Sequence, residues 1–144
     1  LLAADMALPA KGSILLSLAD RTKPEAIPII RRLAQAGYRL YATEGTAALI
    51  RGLGLEVAEV TKRLSQGHPN VVDVIRQGLV DAVINTPEGT QTATIKDGFY
   101  IRRAAVERRI PCFTSIDTAR AAVEALVVDQ HRFSVQPLPE YRRL

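Results

Sequence analysis

The run Ser13-Ile14-Leu15-Leu16-Ser17-Leu18 decides the fold class. It is followed by the polar stretch Asp20-Arg21-Thr22-Lys23, and then by Ala26, Ile27, Ile30, Leu33 and Ala34 at helical spacing. A short apolar strand, a polar turn and an amphipathic helix make one strand–helix unit. Thr22 and Glu25 have the spacing of a capping box, Pro24 fits a first helical turn, and Gly37 is placed to end the helix. Pro28 requires that the regular hydrogen-bonded helix begin close to it.

The unit repeats outward from there. Arg39-Leu40-Tyr41-Ala42 predicts a second strand, Thr46 to Leu53 a second helix closed by Gly54, and Leu55 to Val60 a third strand. Thr61 to Pro69 reads as a polar loop, after which Asn70 caps a short helix that buries Val71, Val74 and Ile75. Ala82-Val83-Ile84 is a fourth strand, apolar on both faces as a central parallel strand requires. Thr86 to Lys96 is a further polar loop, and Asp97 is placed to cap a helix running through Arg109. Pro111 precedes a fifth strand, Cys112-Phe113-Thr114. Asp117 is placed to cap a last helix with Ala119, Ala122, Val123, Leu126 and Val127 on one face. Five such units predict an α/β fold with a doubly wound parallel sheet. The domain covers 13–128, with a linker over 1–12 and a C-terminal tail or edge segment over 129–144, where the rhythm is lost.

With 144 residues, 47% of them apolar and 24% charged, the chain has enough material for one domain with a core. A disordered tail, a collagen-like repeat and a disulfide scaffold are excluded. No apolar run approaches the ~20 residues of a membrane-spanning helix. The start, Leu1-Leu2-Ala3-Ala4-Asp5, lacks the basic region of a signal peptide, and the absence of an initiating Met suggests a chain cut from a longer polypeptide. The net charge is +4, with Arg outnumbering Lys about four to one, which suits anionic ligands such as phosphates. The basic residues are scattered and do not alternate with aromatics, which argues against nucleic acid. The single Cys112 rules out an intrachain disulfide and a cysteine metal cluster, and fits a reducing, cytoplasmic setting.

In an open α/β sheet, ligands sit outside the carboxyl ends of the strands, where helix N-termini point. That selects Ser17 to Lys23, Thr43 to Thr46, Thr61 to Asn70, Asn85 to Thr90 and Thr114 to Thr118. Thr43-Glu44-Gly45-Thr46 leads straight into a helix. Gly45 allows close backbone approach, and the first N–H groups with two hydroxyls make an anion cradle. Thr46 as a plain helix cap and Thr43 as a strand-end hydroxyl account for the same residues. Lys23 and Lys62 both fall on strand-end loops and can neutralise a phosphate. Solvated loop lysines are the simpler alternative. Asn85 is placed to donate to a sugar or base, or to hold the loop backbone. His68 and His131 have no metal-ligand spacing, and no dinucleotide, Walker or nucleophile-elbow motif is present. Cys112 reads as a buried strand residue rather than a nucleophile, and Asp20 and Asp97 read equally as acids, caps or solvated side chains. No catalytic and no metal-ligating residue is assigned.

Several segments occur together in order: Ser17-Leu18-Ala19-Asp20-Arg21-Thr22-Lys23, Ala42-Thr43-Glu44-Gly45-Thr46-Ala47, Val60-Thr61-Lys62, Ile84-Asn85-Thr86-Pro87 and Asp97-Gly98-Phe99-Tyr100-Ile101-Arg102-Arg103-Ala104-Ala105. With Leu8 to Gly12 and Ser115 to Ala119, they resemble the methylglyoxal-synthase-like domain family. More narrowly, they resemble the C-terminal allosteric domain of carbamoyl-phosphate synthase large chains, over about Leu8 to Leu126. The resemblance implies a strand order of 3-2-1-4-5 and a sensor of nucleoside monophosphates, UMP or IMP. That sensor would control carbamoyl phosphate formation for pyrimidine and arginine biosynthesis. It places Lys23, Thr43, Gly45, Thr46 and Lys62 at the effector's phosphate, and Asn85 and Thr86 near its ribose and base. It implies no cofactor in this domain, with ATP, magnesium and potassium ions in the parent enzyme. It also implies upstream synthetase domains, entered through the 1–12 linker, and a glutaminase small chain as partners, with no nucleic acid and no membrane. In some relatives a Tyr-Asp-Thr run at the fifth strand takes ornithine. Here it reads Cys112-Phe113-Thr114, without the phenol and the carboxylate.

The alternative is a stand-alone methylglyoxal synthase, which eliminates phosphate from dihydroxyacetone phosphate. That chemistry needs a carboxylate base and a His. The family's His-Asp pair reads Ala19-Asp20 here, its third-loop acid falls near Gln66-Gly67-His68, and no His lies between Thr86 and Asp97.

Overall fold

The computed structural model describes residues 7–62, 69–87 and 92–135. Five parallel strands form one sheet in the order β3-β2-β1-β4-β5: β1 Ser13–Ser17, β2 Arg39–Thr43, β3 Ala58–Val60, β4 Ala82–Asn85 and β5 Cys112–Phe113. The helices are α1 Lys23–Gln35, α2 Glu44–Gly52, α3 Val71–Arg76, α4 Thr92–Glu107 and α5 Ile116–Val135. A single 3-10 turn, Asp20–Thr22, leads into α1. None of the helices among the described residues is long and apolar enough to cross a membrane.

The two-residue period of the strands sorts the core into two layers. Ile14, Leu16, Leu40, Ala42, Ala82, Ile84 and Phe113 point to one face, against Ile29, Ile30 and Leu33 of α1, Ala47 and Ile50 of α2, and Ala119 and Val123 of α5. Leu15, Val60 and Val83 point to the other face, against Val71, Val74 and Ile75 of α3 and Ile101, Ala104 and Ala105 of α4. A strand covered on both faces needs apolar residues at every position, and β4 is buried at all four. At the sheet's amino end, Asp81 Oδ2 accepts from Ser13 N at 2.8 Å. Gly12 carries φ +139°, and a Cβ there would stand 2.2 Å from the same carboxylate oxygen, so glycine is required.

Several element ends differ from the expectations. Thr22 does not cap α1: its hydroxyl donates to Ala19 O at 2.8 Å, and no side-chain cap bond forms. Pro28 lies well inside α1, which starts at Lys23. Its ring is on the exposed face, while Ala26, Ile29, Ile30 and Leu33 on the other face anchor the helix to the sheet. Ile29, rather than Ile27, belongs to the buried stripe. The strand β3 is three residues long, because Leu55 and Val57 pack from an irregular approach instead. The helix α2 starts at Glu44, not Thr46, and α4 starts at Thr92, so Asp97 lies inside a helix rather than capping it. The helix α5 starts at Ile116, and Thr118 N donates to Ser115 Oγ. Asp117 sits in the first turn and pairs with Arg120. Asn70 caps α3 in a full capping box with Asp73.

Candidate functional site

The order β3-β2-β1-β4-β5 makes β1 and β4 the point from which the chain winds in opposite directions. Loops diverge there and leave a crevice outside the carboxyl ends. Ser17 at the end of β1 lies in register beside Asn85 of β4, and Leu16 beside Ala42 of β2. Thr43, Ser17 and Asn85 therefore stand side by side along the crevice floor, each buried.

The crevice loops are braced by the hydroxyls of Ser17, Thr22, Thr43, Thr46 and Thr86. Thr46 Oγ1 accepts from Leu18 N at 3.0 Å, tying α2 to the chain leaving β1. Thr86 Oγ1 accepts from Ala19 N at 2.8 Å and bonds Thr22 Oγ1 at 2.9 Å. Thr86 N in turn donates to Ser17 O. Thr43 Oγ1 donates to Ser17 Oγ at 3.4 Å. Arg21 Nη2 reaches Pro87 O at 3.2 Å.

This wiring decides the Thr43–Thr46 turn. Thr43 occupies the N-cap position of α2 but makes no side-chain cap bond, because its hydroxyl is turned to Ser17. Thr46 is not a cap either; it holds Leu18 N. The N–H groups that open α2 thus have no side-chain cap at a nine-residue helix whose dipole favours an anion. Lys23 stands over this turn: its Nζ lies 3.0 Å from where a Cβ on Gly45 would be. Only a glycine lets the ammonium come so near the start of α2.

The charge balance is also local. Lys23 Nζ donates to Asp20 Oδ1 at 2.6 Å, with Lys23 largely covered and Asp20 89% exposed. The Asp20 carboxyl is held below its usual range, first by that hydrogen bond, then by the Lys23 charge, and further by the charge of Lys62. Lys62 therefore acts on the same spot as Lys23. Its backbone N donates to Glu44 Oε1 at 3.2 Å, which ties the loop after β3 to the first residue of α2.

The structure so brings together Lys23, Thr43, Gly45, Thr46 and Lys62 around the start of α2, with Asn85 and Thr86 across β1. Thr46 and Thr86 are engaged in bracing the loops. Sequence reasoning selected Ser17, Asp20 and Thr22 with the loop after β1 but gave none of them a place in the candidate site, where they complete the wiring. The signal for them is their position immediately after the central strand. The segment near Gln66-Gly67-His68 and the loop at 88–91 lie outside the described residues. Cys112 lies in β5, mostly buried, and burial pushes its thiol up to about 11, which removes it as a nucleophile near neutral pH. A cavity of about 860 Å³ lies at the opposite rim of the sheet, lined by Tyr38, Arg39, Arg51, Leu55 and Glu56. None of the residues selected above faces it. No group of three metal-ligating side chains occurs among the described residues.

Comparison with known proteins agrees with the fold. The MGS-like domain family matches residues 25–114. The carbamoyl phosphate synthase large chain of Thermomicrobium roseum is 51% identical over 141 residues, covering 98% of this chain and 13% of its own length. The C-terminal section of the carbamoyl phosphate synthase large chain of Methanopyrus kandleri is 48% identical over 125 residues, covering 87% of this chain and 23% of its own length. The chain thus spans under a quarter of these relatives. Among solved structures, methylglyoxal synthase from Elizabethkingia anophelis superposes with a TM-score of 0.59 at 26% identity, over 81% of this chain and 79% of that one.

Proposed function

The chain belongs to the MGS-like domain family, and from that premise we propose that it is the effector-binding domain of a carbamoyl phosphate synthase large chain. It binds a nucleoside monophosphate, UMP or IMP, without transforming it. The observation that carries the reading is the uncapped start of α2 with the Lys23 ammonium held over Gly45. Backbone N–H groups, a helix dipole and two lysines converge where a phosphate dianion would sit.

Control follows from differential binding. The effector must favour one state of the whole enzyme, with a coupling of typically 1–3 kcal/mol. The signal passes to the synthetase domains that precede this one in such large chains, and through them to carbamoyl phosphate output for pyrimidine and arginine synthesis. ATP, magnesium and potassium ions belong to those upstream domains, and the glutaminase small chain supplies their ammonia. The setting is the cytoplasm.

A second reading, a methylglyoxal synthase, draws on the structural likeness to that enzyme. The proton chemistry weighs against it. A general base works best with a pKa near the operating pH, whereas Asp20 is driven the other way by Lys23 and Lys62. Ala19 occupies the position where the resemblance expects a His. Calorimetric titration with UMP and IMP tests the proposal: saturable binding in the wild type, weakened about tenfold or more by Lys23→Ala with the fold retained. Unchanged affinity in that variant removes the site. Methylglyoxal formed from dihydroxyacetone phosphate favours the enzyme.

A further inference from the structure

The amino rim of the sheet, away from the crevice, holds a donor with nothing to bond. Arg39 N donates to Gly12 O at 3.0 Å, on the β1 side of β2. In a parallel ladder the next residue turns its N–H and C=O to the opposite neighbour, so Leu40 N faces the β3 side. There the ladder begins only at Tyr41 and Ala58, because residues 55–57 approach β3 irregularly. Among the described residues no backbone carbonyl meets Leu40 N, although Leu40 is only 4% exposed. The matching donor on β4, Val83 N, is met by Pro111 O at 2.9 Å just ahead of β5. A buried backbone N–H is seldom left orphaned, and one that is calls for an explanation.

Leu40 lines the cavity of about 860 Å³, a volume within the range of small-molecule sites. Two charged side chains without a partner among the described residues also line it: Arg39, beside the donor, and Glu56, on the chain opposite. Arg51, by contrast, is paired with Glu59 at 2.8 Å. The Tyr38 hydroxyl is bonded to Pro9 O, so Tyr38 offers the cavity its ring, alongside Leu55 and Val57. The carboxyl ends of α1 and α2 reach the same rim at Gly37 and Gly54, and their dipoles favour a cation there. An N–H and a guanidinium side by side suit a carboxylate. Glu56 and the two helix ends suit an ammonium. A simple carboxylic acid leaves Glu56 facing a second anion, and a simple amine leaves Leu40 N unmet. An α-amino acid carries both groups on one carbon and can lay its side chain along Tyr38, Leu55 and Val57. We propose that the amino-rim cavity binds a zwitterionic α-amino acid with an apolar side chain. The site is independent of the phosphate reading of α2.

The test is an amide-resolved NMR titration of the 144-residue chain with L-phenylalanine, hydrocinnamate, phenethylamine and glycine. Wild type, Arg39→Met and Glu56→Gln are compared, each first shown to give the dispersed spectrum of the folded chain. L-phenylalanine is expected to shift the Leu40 amide saturably while the amides of the crevice loops stay put. Hydrocinnamate lacks the ammonium, phenethylamine the carboxylate and glycine the side chain. Each is expected to bind about tenfold or more weakly, and Arg39→Met and Glu56→Gln are each expected to weaken L-phenylalanine by a similar factor. A Leu40 amide that ignores L-phenylalanine overturns the site and leaves its N–H to water. Hydrocinnamate binding as tightly as L-phenylalanine, or full affinity retained by Glu56→Gln, overturns the zwitterion. Full affinity in Arg39→Met overturns the placement of the carboxylate and the site with it.

Discussion

Gly45→Ala separates fold from function by sign. Gly45 has helical backbone geometry in the first turn of α2. Alanine there restricts the unfolded chain and favours the helix by about 0.5–1 kcal/mol. For a chain of this length that raises Tm by about 2–4 °C. The added methyl has a second consequence. Helical Cα–Cβ bonds tilt toward the N-terminus, so the methyl enters the anion cradle, 3.0 Å from Lys23 Nζ. Lys23 must give way, and a phosphate oxygen loses its close approach to the N–H groups of the turn. One charge-assisted hydrogen bond contributes about 1.5–3 kcal/mol, which makes nucleotide binding roughly 10- to 150-fold weaker. Thermal melts by circular dichroism and calorimetry with UMP and IMP read the two effects on one sample. A higher Tm with affinity within twofold of wild type would refute the reasoning, since it would place the ligand away from the start of α2.

Three further outcomes are expected. Thr46→Val leaves Leu18 N buried without its acceptor; urea unfolding should show a loss of about 1–3 kcal/mol. Asp20→Asn frees Lys23 from its 2.6 Å partner, so inorganic phosphate should bind a few-fold more tightly at low salt. Because Asp20 titrates below its usual 3.8, any stability from its pairing is present above that value and is lost only as pH falls through the lowered one. The Cys112 thiol, raised to about 11, should react slowly with iodoacetamide at pH 8. The stability it contributes is present below the ordinary thiol value and should fall as pH rises from there through 11, as thiolate absorbance and melts taken together would report.

The sheet was legible because burial on both faces leaves a plain mark. Ile14 to Leu16 and Ala82 to Ile84 are continuous apolar runs, and the structure buries every one of them. The strand order came from resemblance to a family, since periodicity says which residues are buried and not which strands are neighbours. Helix starts were harder to read. The residues Thr22, Thr43 and Asp97 carry capping side chains, yet two of them spend their hydroxyls on bracing the crevice and the third lies inside α4. Local propensity predicts a cap wherever such a residue precedes a helix, and tertiary partners override it. The lysines of the site were visible as residue types on the right loops. Their convergence was expected from the resemblance and not from spacing, because it depends on Gly45 and on charge reaching Asp20 from two separate loops. Asn85 was selected by its place after β4.

The account turns on a phosphorylated ligand held at the start of α2 and released unchanged. Phosphorus NMR of UMP or IMP titrated with the chain reads that directly. The prediction is a phosphate resonance that shifts saturably with wild-type chain, stays put with Lys23→Ala, and keeps its total intensity as the nucleotide. A resonance that ignores the wild-type chain, or one replaced over time by inorganic phosphate, would contradict it.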